Sequence, residues 1–184
     1  MAKKLIDLVK RKHKEAVVDS HSRLGNDTVI IRPEHLLEVA ATLRDDAGAK
    51  LDLLRDITAV DYLNRVPRFE VVYIFYSIEL KHQLLVRVLV EEESCKVPSL
   101  HKIYPIAGWL EREVFDMYGV DFVGHPDLRR VLLYEEFEGH PLRKDYAVQA
   151  SQPRVALRAR ERDAVEEFKE FVQNEEAKGS RERY

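Results

Sequence analysis

Residues 69–90 read FEVVYIFYSIELKHQLLVRVLV and predict two β-strands, 69–78 and 83–90, joined by a short polar turn at 79–82. Within the second strand, apolar side chains recur with period two on one face, at Leu84, Val86, Val88 and Val90. Residues 83, 85 and 87 point to the opposite face, because successive side chains of a strand alternate. The stretch therefore predicts a β-hairpin.

The segments before this hairpin predict a helix, a hairpin, a second helix and one more strand, at residues 2–14, 16–31, 33–48 and 51–60. Pro33 can open the second helix and Gly48 can end it. The order α-β-β-α-β-β-β lacks the helix that a parallel sheet needs at every crossover. We therefore predict an α+β fold, a two-layer domain with a mixed sheet and the helices on one face.

Beyond this domain, a short helix is predicted at Ala107–Tyr118, ending at Gly119. Residues 120–150 show little periodicity, so we expect them to lie extended on another surface. A charged helix with a narrow apolar stripe is predicted at Ala159–Ala177. We divide the chain into an α+β domain (1–104), the short helix with an extended segment (105–146) and a partner-binding C-terminal tail (147–184).

Composition excludes several classes of protein. The 184 residues carry 30 Lys and Arg against 33 Asp and Glu, a net charge of −3, which argues against a dedicated nucleic-acid binder. The apolar runs 71–76 and 84–90 are far shorter than the ~18 residues of a membrane helix. The basic start lacks the apolar core of a signal peptide. We expect a soluble intracellular protein that can dock on a membrane-bound assembly.

Motifs for common cofactors and active sites are absent from the sequence. The single cysteine, Cys95, can form neither an internal disulfide nor a cysteine-ligated iron–sulfur cluster, and we expect an ordinary, partly buried thiol. No phosphate-binding glycine loop, no H-E-x-x-H and no G-x-S-x-G occurs. The sequence therefore predicts no catalytic, cofactor-binding or metal-binding residues.

The densest stretch is 111–130, EREVFDMYGVDFVGHPDLRR. Its segment FVGHP (122–126) recurs as FEGHP (137–141) after fifteen residues. Proline after each histidine disfavours helix and the glycine permits unusual dihedral angles, so two rigid kinks are predicted. We call residues 120–146 the strap.

Three interpretations of the strap remain open. His125 and His140, with Asp127 and Asp145, could form a metal or acid–base site if the fold brought them together. The charged residues could instead pair locally. In the third interpretation the strap binds another subunit, with Phe122, Phe137 and Leu128 as anchors and the cations Arg112, Arg129, Arg130, Arg143 and Lys144 on carboxylates or carbonyls.

The stretch EREVFDMYGVDFVGHPDLRRVL (111–132), followed by FEGHPLRKDY (137–146), resembles the C-type subunit of respiratory complex I, the proton-pumping NADH:quinone oxidoreductase. DITAVDY (56–62), RFEVVY (68–73), VPSL (97–100) and Trp109 also resemble that family. The resemblance covers residues 51–146. Two departures are Ala147, where the family usually has proline, and Ala107-Gly108-Trp109, where it often has A-N-W.

The resemblance implies a non-catalytic subunit without cofactors in the hydrophilic arm. The complex transfers electrons from NADH through FMN and iron–sulfur clusters, held by other subunits, to quinone and translocates protons. Implied partners are the D-type, B-type and I-type subunits of that arm, with the strap and tail along the D-type subunit. The implied location is the cytoplasmic side of the bacterial inner membrane, as a peripheral protein.

The residues expected to bind partners come from the predicted helix Ala107–Tyr118 and from the strap. They are Glu111, Arg112, Glu113, Asp116, Phe122, His125, Arg129, Arg130, Phe137, His140, Arg143, Lys144 and Asp145. Two rivals remain. A membrane-bound hydrogenase or another quinone oxidoreductase uses a similar subunit. An independent nucleic-acid or membrane-surface protein could use the basic first helix, although a solvated helix face explains that run better.

Overall fold

A five-stranded mixed sheet forms the centre of the domain. The structure is a computed structural model that describes residues 3–149, 151–153, 166, 168 and 169. Its elements are α1 (Lys3–Lys12), β1 (Val17–Arg23), β2 (Asn26–Ile31), a 3-10 turn (Pro33–His35), α2 (Leu36–Asp45), β3 (Leu53–Asp61), β4 (Phe69–Tyr76), β5 (Gln83–Val90), β6 (Lys96–Pro98), α3 (Ala107–Tyr118) and β7 (Asp121–Val123).

The strand order is β1-β2-β5-β4-β3. The pair β2 and β5 is parallel, and the pairs β1–β2, β4–β5 and β3–β4 are antiparallel. The predicted α+β fold and mixed sheet are therefore confirmed. The sequence did not predict β6 and β7, a parallel pair of three residues each, because such short strands show no period.

The core lies on one face of this sheet. Tyr73 of β4 stands opposite Val86 of β5 and Ile57 of β3, and Val86 also pairs with Val29 of β2. These four side chains are at most 2% exposed and belong to one cluster. The same cluster contains the buried residues of α1 and α2, namely Leu5, Ile6, Leu8, Val9, Leu36, Val39, Ala40 and Leu43. Both helices thus bury their apolar stripes against the sheet.

The opposite face of the sheet has a different character. Leu85, Ile74 and Arg87 are only half-buried there. Glu70, whose side chain is 5% exposed, pairs with Arg87 at 3.3 Å and with Arg65 at 3.5 Å. The opposite face therefore carries charged groups, including Arg87 of β5, whereas the core face of β5 is apolar.

Residues 1–150 form one compact unit and residues 151–184 form a second. In the second unit residues 166, 168 and 169 have helical backbone. The rest of the predicted helix at Ala159–Ala177 lies outside the described residues. The boundaries at 104 and 146 stay predictions.

Truncation of β5 on its two faces should have unequal costs. Leu84 is fully buried in the core and Leu85 is half-buried on the other face. We expect Leu84→Ala to lower the free energy of unfolding by about 2–5 kcal/mol, because a buried leucine leaves a cavity. Leu85→Ala is the matched control, with a loss below about 1.5 kcal/mol. Urea unfolding of the full chain measures both, and equal losses would contradict the placement of the core.

Candidate strap site on helix α3

The strap caps the C-terminus of α3. The last carbonyls of a helix lack partners within it. Here Phe115 O accepts the N–H of Gly119, and the strap supplies the other donors. His140 Nδ1 lies 3.0 Å from Asp116 O, Leu142 N donates to Met117 O at 3.1 Å, and Arg143 Nε donates to Tyr118 O at 2.5 Å. The second kink is therefore a tertiary helix cap.

Gly119 makes this cap possible. Its φ of +74° lies in the left-handed region, which favours glycine. A Cβ at this position would lie 2.5 Å from His140 Nε2 and 2.7 Å from Arg143 Nη2. The glycine therefore ends the helix and admits both strap side chains to its last turn.

Asp116 organises the middle of the strap. Its fully buried carboxylate accepts the backbone N–H groups of Val131, Leu132 and Leu133 at 3.1, 2.9 and 2.9 Å, and Arg130 Nη1 donates to it at 2.7 Å. Burial alone would raise the pKa of Asp116, but these four donors outweigh burial and hold the pKa below its usual value. The carboxylate thus satisfies the backbone N–H groups of residues 131–133, which belong to no sheet.

Two arginines complete the network from opposite sides. Arg130 Nη2 donates to the carbonyls of Phe137 and Gly139 at 2.9 and 3.0 Å. Arg112 donates to the carbonyls of Arg129 and Arg130, both at 2.9 Å. Guanidinium groups suit this task because their donors form a rigid fork. The two arginines thus join both halves of the strap to α3.

The end of the strap is fixed to the sheet by a buried ion pair. Arg68, 4% exposed, donates twice to Asp61, both bonds at 2.8 Å. Asp61 also accepts the N–H of Lys144 at 2.8 Å, while Arg68 contacts Asp145 at 3.0 Å and Glu92. The Arg68 guanidinium holds the pKa of Asp61 below its usual value. Sheet and strap therefore share one charge cluster.

The first kink contacts the other half of α3. His125 Nε2 lies 2.9 Å from Gly108 O, and its Nδ1 accepts the N–H of Asp127 at 3.0 Å. His140 lies at the C-terminal end of the same helix, where burial lowers its pKa. The two histidines therefore do not converge. Within the described part of the chain, no group of three or more His, Cys, Asp or Glu side chains could hold a metal ion.

Glu111 lies in the N-terminal half of α3, beside the first kink, and is fully buried. Its carboxyl group accepts the N–H of Leu100 at 2.7 Å and lies 2.6 Å from Ser99 Oγ. Burial raises the pKa of Glu111 to about 7, although the two hydrogen bonds oppose this shift. The same helix thus carries one carboxyl group held ionised and one with a raised pKa.

The remaining predicted residues differ in exposure. Glu113, Arg129 and Lys144 are exposed, and Arg129 pairs with Asp127 at 2.8 Å. The Phe137 ring stacks on Tyr146 with centroids 6.1 Å apart. Phe122 in β7 is 2% exposed and packs in the core of its own chain. The predicted roles of all these residues in partner binding stay predictions.

Sequence reasoning did not select Asp61 or Arg68 as site residues. A signal was nevertheless present, because Asp61 continues the period-two series of Ile57 and Ala59 onto the core face of β3. A carboxylate at such a position requires a partner. Arg68 stands only seven residues later.

Comparisons with known proteins agree with this fold and site. Residues 29–152 match the family model of the respiratory-chain NADH dehydrogenase 30 kDa subunit. The chain is 44% identical over 138 residues, 75% of this chain and 79% of the relative, to the C-type subunit of NADH-quinone oxidoreductase from Roseiflexus castenholzii. The protein of that name in Rhodobacter capsulatus is 45% identical over 150 residues, 79% of this chain and 74% of the relative.

Two solved structures share the fold. The trypsin-resistant fragment of Nqo5 has a TM-score of 0.60 at 31% identity, over 67% of this chain and 98% of the fragment. A chain of an archaeal membrane-bound sulfane sulfur reductase has a TM-score of 0.67 at 21% identity, over 80% of this chain and 86% of that one.

The chain therefore belongs to the family of the 30 kDa subunit of respiratory-chain NADH dehydrogenase. This confirms the resemblance to the C-type subunit of complex I and the assignment to a subunit of an enzyme complex. The names of the relatives do not favour the hydrogenase or nucleic-acid alternatives.

Loss of the Asp116 charge should loosen the strap. We expect Asp116→Asn to lower the free energy of unfolding by about 3 kcal/mol or more, because Arg130 loses its buried counter-ion. Urea unfolding and the rate of trypsin cleavage within the strap measure the effect. Exposed Glu113 on the same helix supplies the control Glu113→Gln, with a change below about 0.5 kcal/mol. Equal behaviour of the two variants would show that Asp116 does not organise the strap.

Glu111 should make stability depend on pH. Its pKa is about 7 in the folded chain against an ordinary value of 4.5, so the folded state binds the proton more tightly. The stabilisation, about 3 kcal/mol, is complete below pH ~4.5 and is lost as pH rises to ~7. Unfolding free energies measured from pH 4 to 8 should show this slope in the wild type relative to Glu111→Gln. Parallel curves would contradict the raised pKa.

Proposed function

We propose that the chain is a non-catalytic, cofactor-free structural subunit of NADH:quinone oxidoreductase that positions the subunits around the quinone site. In this proposal the strap and tail bind the D-type subunit, and the α+β domain contacts the B-type and I-type subunits. FMN, the iron–sulfur clusters and quinone are held by other subunits. Family membership supports the assembly with other chains, and the finer assignment of partners follows from the resemblance to the C-type subunit.

The observation that carries the proposal is how the strap uses its polar groups. Arg112, Arg130 and Asp116 all bind the chain's own backbone, so the strap has a defined shape before any partner arrives. Such pre-organisation lowers the entropy that binding must overcome. A strap fixed in this way can act as a rigid surface for another subunit.

That surface is apolar as well as charged. Exposed apolar side chains include Ile106 at 47%, just before α3, Trp109 on α3 at 61%, and Leu132 and Leu142 on the strap at 63% and 50%. Trp109 is also covered on one side by the Arg112 guanidinium, 5.0 Å from its ring. Exposed tryptophan beside arginine is typical of residues that dominate binding energy at interfaces. We therefore assign the main anchor of the interface to Trp109, with the exposed strap residues Arg129 and Lys144 as charged contacts.

The proposed location is the cytoplasmic side of the bacterial inner membrane, with membrane association only through the complex. No helix within the described ranges is long and apolar enough to cross a bilayer. On α1 the apolar side chains are buried in the core, and Lys4, Lys10 and Lys12 are exposed, as expected for a solvated helix face.

Trp109 provides a direct test. We expect Trp109→Ala to reduce the amount of the D-type subunit that co-purifies with the chain and to reduce NADH:quinone activity in proportion, because an interface anchor is lost. The matched control is Ile78→Ala, which removes an equally exposed side chain, also at 61%, from the turn between β4 and β5.

Both variants should unfold within about 1 kcal/mol of the wild type, since neither side chain is buried. Wild-type retention of the D-type subunit in Trp109→Ala would reject Trp109 as the anchor. The double variant Arg129→Ala with Lys144→Ala then decides whether charged contacts carry the interface. Full retention in that variant as well would reject the strap as the partner-binding surface.

A further inference from the structure

A second polar cluster lies on the N-terminal half of α3 and is not used by the Asp116 network. Glu111 is its buried acid, and the His125 ring lies beside it with a side chain only 2% exposed. The distance from His125 Nε2 to Glu111 Oε2 is 4.0 Å. The His101 ring lies 6.1 Å from the His125 ring, centre to centre. Three titratable side chains thus meet at one place beside the helix.

Gly108 gives the imidazoles access to the helix backbone. A Cβ at this position would lie 2.9 Å from His101 Nδ1 and 3.8 Å from His125 Nε2. With hydrogen in its place, His125 Nε2 reaches Gly108 O at 2.9 Å. The glycine therefore admits both imidazoles to this turn of the helix.

The hydrogen bonds of His125 fix which nitrogen carries its hydrogen. Nδ1 accepts the N–H of Asp127, so the hydrogen sits on Nε2. Nε2 has two acceptors within reach of a small rotation, the Gly108 carbonyl at 2.9 Å and the Glu111 carboxyl at 4.0 Å. The choice between them depends on the charge of Glu111, because an ionised acceptor binds a donor more strongly than a neutral carbonyl does.

Several polar groups from different segments face Glu111. The segment before α3 contributes Ser99 Oγ and the Leu100 N–H, with His101 behind them. From the sheet comes the Tyr73 hydroxyl, which is buried and has no hydrogen-bond partner in the part of the chain that the structure describes. The strap contributes His125, and the Asp127–Arg129 pair lies beyond it at the surface. None of these groups is a lysine or arginine in contact with the carboxylate.

We propose that Glu111 is a buried proton-binding site that controls the strap through His125. With Glu111 protonated, His125 donates to the Gly108 carbonyl as observed. When the proton leaves to bulk water, the carboxylate accepts a hydrogen bond from the Nε2–H of His125. His125 then rotates away from Gly108, and the Gly124–Pro126 kink moves with it.

The kink can follow such a rotation. Gly124 has a φ of +86°, and nothing lies within 4 Å of where its Cβ would be. Asp127, hydrogen-bonded to His125 Nδ1, is paired to Arg129, whose carbonyl is held by Arg112. The change at Glu111 therefore reaches the strap segment beside Trp109. This inference concerns the chain itself and stands whether or not the strap binds the D-type subunit.

The test is nuclear magnetic resonance of the full chain, labelled with ¹⁵N in histidine and backbone, between pH 5 and 9. We expect the His125 ring nitrogens and the Asp127 amide to change together with a midpoint near pH 7, because the pKa of Glu111 is about 7. Glu111→Gln imitates the protonated acid and should abolish the change. Glu113→Gln, an exposed control on the same helix, should leave it intact.

Ser99→Ala gives an independent check, because it removes a hydrogen bond that lowers the pKa of Glu111 and should move the midpoint to higher pH. The rate of trypsin cleavage in the strap, taken as a ratio of wild type to Glu111→Gln, should rise about threefold or more from pH 6 to pH 8. A change that persists in Glu111→Gln, or one that disappears only in His101→Gln, would overturn the proposal. So would a wild type without any inflection in this pH range.

Discussion

The bond network between Asp116 and Arg130 is the constraint on which the strap depends. A segment without helix or strand must still satisfy its backbone donors and acceptors, because a buried polar group without a partner is costly. The Asp116 carboxylate accepts hydrogen bonds from three backbone N–H groups of the strap, and the Arg130 guanidinium donates to two carbonyls of the strap. The two side chains also bind each other, so neither charge is buried alone. This ion pair thereby satisfies backbone N–H and C=O groups of the strap, as a neighbouring strand satisfies them in a sheet.

Helix α3 carries two carboxyl groups whose environments push their pKa values in opposite directions. Hydrogen-bond donors hold the pKa of Asp116 below its usual value, whereas burial raises the pKa of Glu111. The first gives the strap a fixed shape, and the second gives one of its kinks a choice of two acceptors. Both carboxyl groups belong to the helix that carries Trp109. Asp116 therefore stabilises the surface around Trp109, and Glu111 makes that surface sensitive to pH.

Particular residues show how far sequence reasoning reached. The period-two pattern of β5 and the apolar stripes of α1 and α2 identified the sheet, its buried face and the α+β class. The G-H-P repeat was predicted to form two kinks, and the histidine of each contacts α3. The pair β6–β7 and the Asp61–Arg68 pair were not predicted, because their partners are distant in sequence or form strands too short to show a period.

By itself, the sequence determined the order of elements up to β5, the buried face of β5 and the absence of motifs for a reactive centre, because these depend on local periodicity and residue chemistry. Only the tertiary structure decided what the charged residues of the strap contact. Local sequence does not determine whether an arginine or aspartate in a loop contacts a partner, solvent or the backbone of its own chain. The choice depends on which carbonyls and N–H groups the fold leaves unpaired, and here those belong to the end of α3 and to the strap itself.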